Sequence, residues 1–147
     1  IESKFVLREP LIFLLPKDHP LAKYERIPVT ALNGIDFIIP AKEQSTTLHD
    51  VILDFAKTNH IEFNIVQRAD NILFNINSIG MGLGCTILPG YIAPLTMNNT
   101  VIRSLDVELP YLDLYASYRK DRNSVAVDKF IELLTRVFYL DINRVED

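Results

Sequence analysis

Apolar residues in this chain fall into short continuous runs separated by longer stretches with a helical stripe. Phe5 to Leu7 and Pro10 to Leu15 read as extended segments, stopped by Pro16 and the polar Lys17-Asp18-His19-Pro20 turn. A short helical turn around Thr30 to Asn33 ends at Gly34, and Phe37-Ile38-Ile39 is a brief buried strand closed by Pro40. From Thr46 to Asn59 the apolar residues Leu48, Val51, Ile52, Phe55 and Ala56 share one helix face, which leaves Leu53 off the stripe. Ser45 and Thr46 are alternative caps for that helix, and Thr47 with Asp50 has capping-box-like spacing.

Glu62 to Gln67 reads as the next strand. Asp70 or Asn71 can cap a second helix with Ile72, Leu73, Ile76 and Ile79 inward, ended by the glycines of Gly80-Met81-Gly82-Leu83-Gly84. Cys85 to Leu88, Val101 to Leu105 and Leu112 to Tyr118 read as further strands, and Tyr91 to Leu95 as a short helix. A last amphipathic helix starts near Ser124 and places Val127, Phe130, Ile131, Leu134, Val137 and Phe138 on one stripe, with a loose tail expected from Asp141. Strands alternating with helices predict an α/β fold with a mainly parallel sheet. The central stretch, residues 17–108, reads as self-contained; residues 1–16 and 109–147 read as pieces of a second subdomain.

Composition narrows the class of function. The 147 residues are 48% hydrophobic and 23% charged, as in a globular protein, and no apolar run reaches the ~18 residues needed to cross a bilayer as a helix. The 15 basic residues are scattered and outnumbered by 19 acidic ones, for a formal charge of -4, so the chain lacks the clustered cations that grip nucleic-acid phosphates. One cysteine, Cys85, precludes an internal disulfide and suits a reducing, cytoplasmic setting.

Candidate chemistry is sparse. His19, His49 and His60 lack the spacing of a helical metal site, so no metal or cofactor is expected. Ser45 and His49 stand four apart with Asp50 adjacent, but no nucleophile elbow accompanies them; His49 is expected to face solvent and no catalytic residue is assigned. The glycines at 80, 82 and 84 follow a helix rather than open one, which is the wrong context for a phosphate loop. Ser45-Thr46-Thr47 and Asp70-Asn71-Ile72 do occupy two strand-to-helix turns. Free amides at helix N-termini favour anions, and in open α/β sheets ligands gather beyond the carboxyl ends of strands. Plain helix capping explains the same residues, and Arg68 nearby is either a counter-charge for an acid or a surface residue.

Three segments in order carry a family resemblance. Arg8-Glu9-Pro10-Leu11-Ile12-Phe13-Leu14-Leu15-Pro16-Lys17-Asp18-His19-Pro20-Leu21-Ala22 resembles the strand and turn of LysR-type effector-binding domains. Ile79 to Pro89 is similar to that family's glycine-rich helix end and following strand, and Leu112 to Arg122 with Val125 to Leu134 to its closing strand and last helix. The resemblance implies a two-lobed fold like the type II periplasmic binding proteins, with a small-molecule effector between the lobes, of which a small organic acid is one candidate. It places the loop of Ser45, Thr46 and Thr47 at the effector pocket, and the equivalent strand-to-helix turn adds Asp70, Asn71 and Ile72 to the expected site. It further implies a cytoplasmic homodimer or tetramer, with Leu53 a candidate interface residue, and DNA contact only through a helix-turn-helix that this sequence does not contain. A solute-binding protein of a transport system shares the fold and is the alternative.

Overall fold

The computed structural model describes residues 1–43, 45–119 and 124–145, with side chains in the last helix described through Val137. Seven strands and three α-helices are present among them: β1 (Glu2–Pro16), β2 (Arg26–Ile27), β3 (Asp36–Pro40), α1 (Thr46–Thr58), β4 (Asn64–Ala69), α2 (Ile72–Gly80), β5 (Thr86–Pro89), β6 (Thr100–Leu105), β7 (Tyr111–Tyr118) and α3 (Val125–Val145). Single 3-10 turns occupy Pro20–Lys23, Val29–Leu32 and Gly90–Leu95. The chain forms two compact units, a larger one from Pro10 to Leu112 and a smaller one of Ile1–Glu9 with Asp113–Asp147. The stretch 17–108 lies inside the larger unit.

In the larger unit the strand order is β2-β6-β1-β5, with β3 and β4 paired beside it. The mainly parallel sheet expected from the sequence is instead mixed. β1 runs antiparallel to both neighbours, Phe13 opposite Ile87 of β5 and Arg103 of β6, while β2–β6 and β3–β4 are parallel. An all-apolar strand reports that both of its faces are covered, not which way its neighbours run. Leu11, Phe13, Leu14 and Leu15 are accordingly buried, together with Ile27, Leu32, Phe37, Ile38, Ile39, Ile52, Ile76, Ile79 and Ile87.

Gly84 sets how β3 meets β5. Cys85 donates its amide to the Asp36 carbonyl and accepts one from Ile38, both at 2.9 Å, and a Cβ on Gly84 would stand 2.8 Å from that same Asp36 oxygen. Phe37, fully buried beside this junction, stacks on Phe63 with ring centroids 4.0 Å apart and planes 14° from parallel.

α1 keeps its expected stripe, with Leu48, Ile52, Phe55 and Ala56 buried and Leu53 43% exposed. His49 departs from expectation: it is buried, and its Nδ1 donates to the Pro40 carbonyl at 2.9 Å, tying α1 to the end of β3. β4 starts at Asn64 rather than Glu62 because the preceding residues close the turn. There the Glu62 amide donates to Asn33 Oδ1 at 2.8 Å, and the Glu62 carbonyl accepts from Gly34 at 2.7 Å.

α2 stops as its glycines predict. Gly82 takes a left-handed φ of 81° and donates to the Ile79 carbonyl, and Leu83 reaches back to the carbonyl of Ser78, the paired bonds of a Schellman ending. Its inward face is Asn75, Ile76, Ser78 and Ile79; Leu73, expected inside, is 61% exposed.

In the smaller unit, β7 pairs with β1. Arg8 forms a two-pronged bond to Asp113, at 2.7 and 3.2 Å, and the guanidinium holds the Asp113 carboxyl below its ordinary range. Phe5 meets Tyr115 edge-on at 5.8 Å. α3 begins with Ser124 Oγ accepting the Val127 amide at 3.4 Å and continues through 141 to Val145 instead of loosening. Ile131 is its buried stripe residue, while Phe130 and Val137 are exposed; the Phe138 side chain and positions 120–123 lie outside what is described.

Candidate functional site

Two helices of the larger unit begin side by side at one cavity of about 320 Å³, and each is capped by a side chain of its wall. Ser45 adopts extended backbone and its Oγ accepts the Leu48 amide at 3.2 Å. Asn71 does the same for α2, its Oδ1 accepting the Phe74 amide at 2.8 Å. Each cap spends an oxygen on its helix and keeps hydrogens: one O–H on Ser45, two N–H on Asn71. The first two amides of each helix, Thr46 and Thr47 in α1 and Ile72 and Leu73 in α2, precede any intrahelical acceptor by construction. The two N-termini also carry the positive ends of their helix dipoles.

Apolar residues make up most of the remaining wall: Pro40, Leu48, Ala69, Ile72, Leu88, Pro89, Tyr91 and Leu112. The chain ends of β3, β4 and β5 supply Pro40, Ala69 and Pro89, so the cavity stands at the carboxyl ends of three strands. Of the six residues singled out in the sequence, Ser45, Asn71 and Ile72 line it. Thr46 and Thr47 follow Ser45 with exposed side chains, Thr46 donating its hydroxyl to the Lys42 carbonyl at 3.1 Å. Asp70 precedes the Asn71 cap, and it and Arg68 are exposed and outside the lining.

Sequence reasoning missed Asn75. It lines the cavity at 1% exposure, and its Nδ2 donates to Thr86 Oγ1 at 3.2 Å. Thr86 in turn donates its only hydroxyl hydrogen to the Ile38 carbonyl at 2.7 Å. That commitment fixes the amide: an Asn75 turned over would set oxygen against oxygen. The Oδ1 that remains has no hydrogen-bond partner among the described residues. A buried acceptor left unmet costs about 1–3 kcal/mol. The signal was available in the sequence, because residues 72, 75, 76 and 79 share one face of a helix and a lone amide interrupts that apolar stripe.

No His, Cys, Asp, Glu or Lys is among the described residues that line the cavity, so the Ser45 hydroxyl has no side-chain base beside it there. Cys85 is fully buried on the β3–β5 junction, where burial, and then the nearby Asp36 carboxylate, push its thiol up to about 12. It stays protonated at neutral pH and is a poor redox nucleophile. His19 sits elsewhere, its Nδ1 accepting the Leu21 amide at 3.1 Å; burial lowers its pKa despite Asp36. Among the described residues no group of three His, Cys, Asp or Glu could hold a metal ion, and no helix is long and apolar enough to cross a membrane.

The family model described as the LysR substrate binding domain matches residues 1–138. The Hca operon transcriptional activator HcaR of Escherichia coli is 33% identical over 126 residues, which are 86% of this chain and 43% of that protein. The chain thus spans under half the length of that relative. Among solved structures, the regulatory domain of CcmR from Synechocystis, in complex with 2-PG, superposes with a TM-score of 0.80 at 22% identity, covering 93% of this chain and 66% of the other. The effector binding domain of QuiR, in complex with shikimate, gives 0.78 at 19% identity, again covering 93% and 66%. At those identities the likeness establishes the fold, that of the two-lobed effector-binding domains.

Proposed function

This chain belongs to the LysR substrate-binding domain family, the effector-sensing part of a LysR-type transcriptional regulator, and from that premise we propose that the cavity between the starts of α1 and α2 receives a small organic acid. One observation carries the reading: two helix N-termini, each capped by a residue that keeps hydrogens to give, border a single cavity whose wall is otherwise mostly apolar. A carboxylate brings two acceptor oxygens and a negative charge. Those oxygens meet the Ser45 hydroxyl, the Asn71 amide and the leading N–H groups of Thr46, Thr47 and Ile72, while the body of the acid contacts Leu88, Pro89 and Tyr91. Asp70 stands next to the cap, and its carboxylate counts against a highly charged ligand. CcmR and QuiR, which share the fold, hold 2-PG and shikimate.

Binding that favours one arrangement of the regulator over another shifts its population, and a full switch from 1:99 to 99:1 takes about 5.5 kcal/mol of differential affinity. The net charge of -4 leaves DNA contact to another part of the regulator, a helix-turn-helix acting in the cytoplasm. Subunits would associate as homodimers or tetramers, with Leu53 on the exposed face of α1 a contact residue. The chemistry at the cavity is that of binding, not turnover.

Calorimetric titration with benzoate, shikimate and cyclohex-1-ene-1-carboxylate tests the site. At least one of these acids is expected to bind, and Ser45→Ala and Asn71→Ala are each expected to weaken it about tenfold, which is roughly 1.4 kcal/mol. Folded variants that bind the same acid as tightly as the parent would refute the placement.

A further inference from the structure

We propose that Asn75 is a specificity residue that selects effectors carrying a hydroxyl or N–H donor in addition to their acid group. The inference rests on the acid-binding reading of the cavity and adds what that reading lacks, a demand on the rest of the ligand. The other polar side chains on the wall, Ser45, Asn71 and the phenol of Tyr91, each have a hydrogen to give and suit a carboxylate. Asn75 Oδ1 is the opposite. It is the buried acceptor of a residue that is 1% exposed and lines the same cavity, and no donor among the described residues reaches it.

The surrounding bonds prevent the amide from escaping this role. Ile38 O takes the Thr86 hydroxyl hydrogen, so Thr86 Oγ1 can only accept, and the Asn75 NH₂ must face it. Oδ1 is therefore presented on the side away from Thr86 by a chain of bonds running from β3 through β5 to α2. A ligand group that donates there recovers an interaction the empty protein forgoes, whereas a bare hydrocarbon would bury the oxygen still unmet. Discrimination of this kind is steep, because a site built around a buried polar group rejects an analogue lacking its partner more strongly than an apolar wall rejects an extra methylene.

Matched acids make the test. Titrate the chain with benzoate against each of 2-, 3- and 4-hydroxybenzoate, and with cyclohex-1-ene-1-carboxylate against shikimate, which has the same ring and three added hydroxyls. In at least one pair the hydroxylated acid is expected to bind tenfold or more tightly than its parent. Asn75→Leu, which removes the acceptor and keeps the branched shape, is expected to abolish that preference while the parent acid binds as well as before or better. The comparison within wild type stands by itself should Asn75→Leu fail to fold. Equal affinity within every pair, the result also expected if a bound water already satisfies Oδ1, would overturn the proposal. So would a preference that survives in Asn75→Leu. Acids that bind without regard to hydroxylation but lose affinity in Ser45→Ala would leave the acid site standing and remove only the role of Asn75. If none of the acids binds, both fall.

Discussion

Phe37→Ala is expected to destabilise the chain by about 3–5 kcal/mol, the range for truncating a fully buried aromatic residue. Phe37 has no exposed surface, stacks on Phe63 at 4.0 Å, and belongs to β3, whose final residue Pro40 forms part of the cavity wall. Relaxation cannot close the void cheaply. Phe37 is held on one side by its pairing with Ile65 of β4 and on the other by its bridge to Cys85, so the backbone is fixed where the ring is lost. A domain of this size typically has about 5–15 kcal/mol in total. Urea unfolding followed by circular dichroism should show a much lower midpoint with an unchanged slope. Phe37→Leu, which keeps most of the volume, should lie between the two. A midpoint for Phe37→Ala within error of wild type would mean that the β3–β4 packing described above is wrong.

Gly84→Ala is the second large effect, and it acts by crowding rather than by loss. The added methyl would stand 2.8 Å from the Asp36 carbonyl oxygen, a backbone atom itself bonded to Cys85 and unable to swing aside. Overpacking of this kind typically costs about 1–3 kcal/mol, and here it also pushes β3 away from β5. Those strands carry Pro40 on one side of the cavity and Leu88 and Pro89 on the other, so acid affinity should fall along with stability. Gly34→Ala is the control: its added Cβ meets nothing within 4 Å, yet its φ of +78° imposes backbone strain without moving the wall. Thermal unfolding alongside acid titration separates the two. A Gly84→Ala protein as stable as the parent would contradict the close approach of these strands.

How much of this was legible beforehand depends on what a residue pattern records. The start of α1 could be narrowed to Ser45 or Thr46, that of α2 to Asp70 or Asn71, and the stop of α2 read from its glycines, because caps and left-handed turns are local chemistry with few competent residue types. The direction of β1 could not. Leu11 to Leu15 is apolar on both faces, which identifies a covered strand and leaves its partners free to run either way.

His49 was expected in water once no catalytic arrangement claimed it, yet it lies on one helix face with Ile52 and Ala56 and finds the Pro40 carbonyl. Position outweighed polarity there, and the same rule would have placed Asn75 inside and Leu73 outside. The two turns that the sequence offered as a site do meet at one cavity through Ser45, Asn71 and Ile72. What the sequence could not supply is which atoms remain unspent once the helices are capped. That follows only from the bonds among Ser45, Leu48, Asn71, Phe74, Asn75 and Thr86.

The most direct test of the central claim is an amide-resolved nuclear magnetic resonance titration of the chain with whichever of benzoate, shikimate or cyclohex-1-ene-1-carboxylate binds most tightly. The largest shifts are predicted at the backbone amides of Thr46, Thr47, Ile72 and Leu73 and at the side-chain amide of Asn71. Shifts concentrated instead along the groove of Val51, Asp54, Thr58 and Glu108, with the starts of α1 and α2 unmoved, would contradict the account.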